Sequence, residues 1–354
     1  MTAVQEPVSA ADGVDQSQPV AAPKGLAKAL GPLLGSRFFR PAAVVILLAL
    51  ALFAIPAYFD GYWLGNFRQM AVVAPLVASA GMLYGRVGLV SLGQVAPYGI
   101  GTWVTMRLAF ATSLPFPIIL LLGGLVAAVL GVLIGLPALR VSGLYLALVT
   151  LMLVAAIEII LNEIKFPNGG DGFKGFVKDL GKIKALRRPA IAVTEVGYYR
   201  FVVIASFLLL MLAAFVLSRK PGRAWASIRQ SEAAALSAGI DVTRYKMLAF
   251  ALASFMAGVA GGLFAGTVPK GMSTDAFNRQ AAIFLIAAVL MGGIYSLWGS
   301  LLGAFFATCL LKFLIQNVVG HKFWDRFSLS LFGFGLLMNL ILGTKAAEKK
   351  GVPA

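Results

Sequence analysis

The sequence holds one cysteine, Cys309, and one histidine, His321, among 354 residues. A lone cysteine excludes a disulfide framework. With one thiol and one imidazole, most pairings of a nucleophile with a base are also out of reach. His321 has no second His or Cys beside it and reads as an interfacial residue ahead of a span, so no metal site is expected. No G-x-x-x-x-G-K-S/T run occurs, so this chain does not cradle phosphates on a P-loop. Charge is scarce too: charged residues are 12%, with 14 acids against 30 cations and a net charge of +16. A membrane enzyme would need a catalytic constellation that is not present.

Apolar residues are abundant instead, at 60%, against roughly 45–50% in soluble domains. Several runs approach the ~20 residues that cross a bilayer. This composition predicts an all-α polytopic membrane protein. Its positive charge belongs to loops facing anionic lipid headgroups rather than to a nucleic-acid surface.

Residues 1–40 are rich in Ala, Pro, Gln and Ser and read as a disordered cytoplasmic tail, with no signal-peptide pattern. Lys24, Lys28, Arg37 and Arg40 precede the first apolar run and place the N-terminus in the cytoplasm by the positive-inside rule. A transmembrane domain over 41–343 follows. Its spans are expected near Ala42–Phe59, Gln69–Gly85, Gln94–Phe110, Phe116–Leu139, Leu144–Leu161, Tyr198–Leu217, Met247–Val268, Gln280–Leu297, Leu301–Val318 and Phe327–Leu342. About ten transmembrane helices return the C-terminus, residues 344–354 with Lys345, Lys349 and Lys350, to the cytoplasm. The external loop 163–197 then runs against the rule, because Lys165, Lys174, Lys178, Lys182, Lys184, Arg187 and Arg188 crowd it. Long loops are partly exempt, and such a loop suits an external partner with acidic patches.

The cytoplasmic loop 218–246 organises the chain. Pro221-Gly222 ends one span, and Ala224–Ala238 reads as a short helix with Trp225, Ile228, Ala235 and Leu236 near one face. Arg229, Gln230 and Ser237 lie off that face. Gly239 suits a left-handed helix end and Asp241 a cap for the next helix. Arg219, Lys220, Arg223, Arg229, Arg244 and Lys246 outnumber Glu232 and Asp241. Three readings fit: a loop made basic by topology, a helix on the membrane surface, or a docking helix whose sticky face takes a soluble partner.

Gly85–Trp103 is too rich in Gly and Pro for an ordinary span. It fits either a broken helix beside a solute path, with Ser91, Gln94 and Tyr98 as its polar groups, or close packing through small residues. Gly258, Gly262, Gly292, Gly293, Gly299 and Gly303 read as packing glycines. Glu158, a carboxylate inside an apolar run, either faces a cavity or sits at the outer interface.

Several segments together resemble one family. Gly88, Ser91-Leu92-Gly93, Ala96 and Gly99-Ile100-Gly101 are one; Leu139-Arg140, Gly143, Tyr145, Ala147, Thr150-Leu151 and Glu158 another. Gly169-Gly170-Asp171-Gly172 follows, then Gly222-Arg223-Ala224 with Ile228-Arg229 and Ala238-Gly239-Ile240 through Lys246, and last Gly292-Gly293 with Ser296–Gly299 and Gly303-Ala304. Over roughly residues 70–310 these resemble the LivM-type permease subunits of high-affinity branched-chain amino acid ABC importers. Gln94 stands where the family usually has His, Pro97-Tyr98 where it has Ala-Phe, and Tyr295 and Ser300 where it has Gly and Pro. The resemblance implies a half-permease in a bacterial cytoplasmic (inner) membrane. It would work with a second related permease, two cytoplasmic ATPase subunits and an external solute-binding protein. This chain would bind no cofactor, ATP and Mg being used by the ATPase subunits. With the loop 218–246 as the coupling segment that the resemblance implies, ATPase coupling is expected at Arg223, Trp225, Arg229, Glu232, Ala233 and Gly239; a solute path is expected at Ser91, Gln94, Tyr98, Tyr145, Thr150 and Glu158. Glu232-Ala233-Ala234 loosely echoes the E-A-A-x-x-x-G signature of importers, one residue too far from Gly239. Permeases for urea or short-chain amides are similar, and a stand-alone secondary transporter would call for more intramembrane ionisable groups than Glu158.

Overall fold

The structure, a computed structural model, describes residues 39–59, 61–138, 143–163, 178–179, 182–183, 194–267, 277–294 and 296–310. The chain divides into two compact units, Met1–Ala54 and Ile55–Ala354. In chain order the helices are α1 (Phe39–Tyr58), α2 (Gly61–Met82), α3 (Val95–Ala111), α4 (Phe116–Ala138), α5 (Leu144–Glu163), α6 (Glu195–Ser218), α7 (Lys220–Gln230), α8 (Glu232–Ser237), α9 (Val242–Thr267), α10 (Arg279–Gly292) and α11 (Leu297–Phe305). Five-residue π-helical turns extend α2 through Leu83–Val87 and α11 through Phe306–Leu310. A two-residue antiparallel pair, β1 (Lys178–Asp179) with β2 (Lys182–Ile183), lies in the loop between α5 and α6. The tenth expected span, His321, the C-terminal tail and most of the loop 163–197 lie outside the described residues, as does the N-terminal tail before Phe39.

Among the described residues, Gly61–Val87, Phe116–Leu136, Glu195–Ser218 and Val242–Thr267 are long and apolar enough to cross a bilayer. Leu47–Tyr58, Tyr145–Leu161, Arg279–Gly292 and Leu297–Cys309 are shorter apolar helices. Their outward faces are apolar. Leu121, Leu125, Val129 and Leu133 form an exposed stripe along α4, and Ile204, Leu208, Met211 and Phe215 another along α6. Soluble chains rarely expose apolar surface so continuously, whereas lipid solvates it. The protein is a helical membrane protein that crosses the bilayer several times.

α9 is the central helix, packed against α4, α3 and α2, with Ala249, Phe250, Ala253, Met256, Ala257, Ala260 and Leu263 fully buried. It approaches its neighbours through missing side chains. A Cβ at Gly101 would stand 2.2 Å from the Gly258 carbonyl oxygen, and one at Gly258 would stand 2.3 Å from the Ala127 Cβ. A Cβ at Gly262 would meet Leu120 and the Thr105 hydroxyl, both at 2.6 Å. Lipid gives apolar helices no hydrophobic drive to associate, so close van der Waals packing through small residues takes its place. Gly292 and Gly299 face each other in the same way, and Gly303 abuts the Ala288 carbonyl.

Four boundaries differ from the sequence expectation. α1 begins at Phe39, inside the residues assigned to the tail. α2 starts at Gly61 rather than Gln69. Its polar first turns fold because Arg68 forms an ion pair with Glu195 of α6 and lies 5.9 Å over the Tyr198 ring. The run Gln280–Leu297 is not one helix. α10 ends at Gly292, Gly293 takes φ +91°, and the Ser296 hydroxyl accepts from Gly299 N at 3.2 Å to cap α11. Gly293 is therefore a turn glycine, not a packing one: a Cβ there would meet nothing within 4 Å. Ala224–Ala238 is also two helices. Ser231 is extended, and its hydroxyl accepts from Ala234 N at 3.2 Å, so a residue read as mid-helix caps α8.

Candidate functional site

The loop 218–246 is built from α7, α8 and the first turn of α9. Arg219 is extended, and Pro221 occupies the first turn of α7, where its missing N–H is not needed. Trp225 is 0% exposed and its indole Nε1 donates to the Tyr245 carbonyl at 2.8 Å. Trp225, Ile228 and Ala235 join Met82, Leu83, Val87, Leu89 and Phe250 in one apolar cluster. The sticky face therefore turns inward, against the end of α2 and the side of α9. Trp225, expected at the ATPase-coupling face, is thus packed in the chain's own core. A large aromatic with one donor is best satisfied where its ring is dry and its N–H has a carbonyl. Leu236, expected on the same face, is 60% exposed because the break at Ser231 rotates α8 away.

What the loop presents outward is polar. Arg223, Arg229, Glu232, Ala233 and Gly239 are exposed. Gly239 has φ +77°, the left-handed conformation expected for it, and Asp241 Oδ1 accepts from Arg244 N at 3.0 Å to cap α9. Glu232 meets the Lys246 ammonium at 2.6 Å, with the lysine side chain 6% exposed and the glutamate 52%. Lys246, which the sequence offered only as one loop cation among several, is thus a buried charge held by the carboxylate of the E-A-A echo. Fourteen residues separate the two, and no local pattern announces the pair.

Between the π turn Leu83–Val87 and α3 runs a non-helical strap, residues 88–94. Gly88 takes φ +83°. Leu92 N donates to the Thr150 hydroxyl at 3.0 Å, and Gly93 N donates to the Ser91 hydroxyl at 3.3 Å. Thr150 in turn donates to the Leu146 carbonyl at 2.9 Å, so α5 holds the far end of the strap. Gln94 is 2% exposed, and its Oε1 has no hydrogen-bond partner among the described residues.

The six path candidates are not gathered in one cavity. Ser91 and Thr150 meet at the strap, and Gln94 follows them. Tyr98 is core: its ring stacks on Phe264 at 5.6 Å and tilts against Phe277 at 5.4 Å. Tyr145 is 74% exposed at the start of α5. Glu158 is half-buried, with no ion pair or hydrogen bond among the described residues. A shallow pocket open to the outside lies elsewhere, between α2, the end of α6 and the α10–α11 break, lined by Arg86, Leu217, Gly293 and Ser300 among others. None of the six lines it.

Comparison with known proteins places this architecture. The family model "Branched-chain amino acid transport system / permease component" matches residues 63–342. The high-affinity branched-chain amino acid transport system permease protein LivM of Salmonella typhimurium is 32% identical over 242 residues, 63% of this chain and 56% of that protein. Its Escherichia coli counterpart is 31% identical over 245 residues, with the same shares. The chain thus spans little more than half the length of these two relatives. The autoinducer 2 import system permease protein LsrC of an Enterobacter strain is 28% identical over 306 residues, 82% of this chain and 84% of that protein. No solved structure gives a significant match. With a family match across the transmembrane core and the loop 218–246 alike, the chain belongs to the branched-chain amino acid transport system permease family.

Proposed function

We propose that this chain is the transmembrane permease subunit of an ATP-binding cassette importer, carrying branched-chain or related amino acids from an external solute-binding protein into the cytoplasm. The observation that carries the reading is the loop 218–246: anchored inward by Trp225 and Ile228, it turns Arg223, Glu232, Ala233 and Gly239 to the outside. Such a loop is stiff at its root and polar at its tip, which suits a lever worked by a separate ATPase. The chain would sit in a bacterial inner membrane with about ten spans and both termini in the cytoplasm. Its partners would be a second related permease, two ATPase subunits and the binding protein, with ATP and Mg confined to the ATPases. The solute route is assigned past Ser91, Gln94 and Thr150, with Glu158 about two turns farther along α5.

A second reading concerns the solute. The autoinducer 2 permease matches along more of this chain than the branched-chain amino acid relatives do. A non-amino-acid cargo is therefore the alternative. The test is uptake into proteoliposomes that hold the chain with its cognate subunits, ATP inside and binding protein outside. ATP-dependent entry of labelled leucine is expected. Entry of autoinducer 2 without leucine would select the second reading, and no ATP-dependent entry of either, by a complex that hydrolyses ATP, would overturn both.

A further inference from the structure

The near end of the strap is held by the loop 218–246 itself. Arg229 Nη1 donates to the Gly85 carbonyl at 2.8 Å, across 144 residues of sequence. Gly85 lies in the last turn before the strap, where helix carbonyls lack partners in their own helix and where the dipole favours a cation. Leu89 N and Gly88 N both go to the Leu83 carbonyl, so the turn's own donors are already used. The stem of Arg229 also lies over Gly88: a Cβ there would stand 3.2 Å from Arg229 Cγ and 3.8 Å from Arg229 Cβ. Leu89, the next residue, shares an apolar cluster with Trp225 and Ile228. The strap is thus fixed to α7 at one end and to Thr150 of α5 at the other, and it leads directly into α3 through the buried Gln94.

We infer that Arg229 is a positioning residue of transport: it ties α7 to the strap, so that the outward-facing loop and the start of α3 move as one body. The inference rests on the importer reading and assigns Arg229 an intramolecular partner rather than an ATPase contact. Displacement of α7 reaches the polar groups of the strap through the Gly85 carbonyl and the Arg229 stem. Trp225, by contrast, seats α7 on α9 and does not touch the strap's backbone by any hydrogen bond described.

The test replaces one tie with another. Gly88→Cys with Arg229→Cys, in a Cys309→Ala background, sets two Cβ atoms near 3.8 Å, the mean separation found in disulfides. In membranes carrying the full chain, oxidation should close an intrachain bridge, read as loss of both thiols to a maleimide polymer. In the reconstituted transporter, the reduced double variant should take up labelled leucine about tenfold more slowly than the parent. That is the size expected when a hydrogen bond from a charged group is lost. Oxidation should restore uptake. With Gly88 intact, Arg229→Ala should slow uptake to a similar degree, and Arg229→Lys should recover part of it. Wild-type uptake by Arg229→Ala, or a further fall on oxidation, would each overturn the inference. If the parent itself imports no leucine while the bridge still forms, the importer reading fails and the tie stands as geometry.

Discussion

At the scale of single residues, Trp225 shows how the same side chain supports opposite predictions depending on which way its helix face turns. Buried and hydrogen-bonded to the Tyr245 carbonyl, it belongs to the protein's own core. Trp225→Ala should cost about 3–5 kcal/mol, the range for deleting a large buried aromatic. Trp225→Phe keeps most of the apolar volume and loses the indole donor, leaving one carbonyl short, for about 1 kcal/mol. Thermal unfolding of the purified chain should therefore rank wild type, Phe and Ala in that order. A Trp225→Ala protein that melts like wild type would take the residue out of the core and return it to the surface. Period-3.6 reasoning found the face but not its direction. An amphipathic helix on a membrane protein can turn its apolar side to lipid, to a partner or to its own bundle, and only the neighbours α2 and α9 decide.

Among elements, the helices were legible and their interruptions were not. Long apolar runs announced α4, α6 and α9, because burial in lipid leaves a run of residues as its own signature. The breaks at Ser231 and Gly293 depend on one extended residue and one positive φ, and they sit in segments that also read well as continuous helix. The start of α2 was hidden because Asn66 and Arg68 look like loop, and the partner that holds Arg68, Glu195 of α6, lies 127 residues away. The glycine-rich stretches were legible as packing or broken helix without a choice between the two; the structure contains both, packing at Gly101 and a break across 88–94. This separation is measurable. Gly101→Ala would drive a Cβ to within 2.2 Å of the Gly258 backbone, so α3 and α9 must part. Overpacking of that kind costs about 1–3 kcal/mol. Gly65→Ala in α2 meets nothing within 4 Å and removes a helix glycine, so it should be neutral or gain up to about 1 kcal/mol. Melting temperatures of the two variants should move in opposite directions, or the first should fall while the second stays. Equal losses would mean that close approach at Gly101 is not what holds α9 in place.

For the whole molecule, charge and hydropathy give conflicting accounts of orientation. The loop before α6 is rich in Lys and Arg, as is the loop after it, yet a single helix of 24 residues long enough to cross the bilayer lies between them. Both cannot face the cytoplasm if α6 spans. The positive-inside rule weighs residues close to span ends and weakens for long loops, so the loop 163–197 is the one free to lie outside. The loop 218–246 is held tight to its span end: α7 starts two residues after α6, Arg219 stacks 4.6 Å over Phe215, and Trp225 and Lys246 are buried in the bundle. Its cations therefore count fully, and the positive-inside rule predicts that it faces the cytoplasm. Single cysteines at Lys178 and at Ser231, each in a Cys309→Ala background, should react with a membrane-impermeant maleimide from opposite sides. Lys178→Cys should label in intact cells, and Ser231→Cys only after the membrane is opened. Labelling of both from outside would mean that α6 does not span. Labelling of Ser231→Cys alone from outside would invert the orientation and take the loop 218–246 away from any cytoplasmic ATPase.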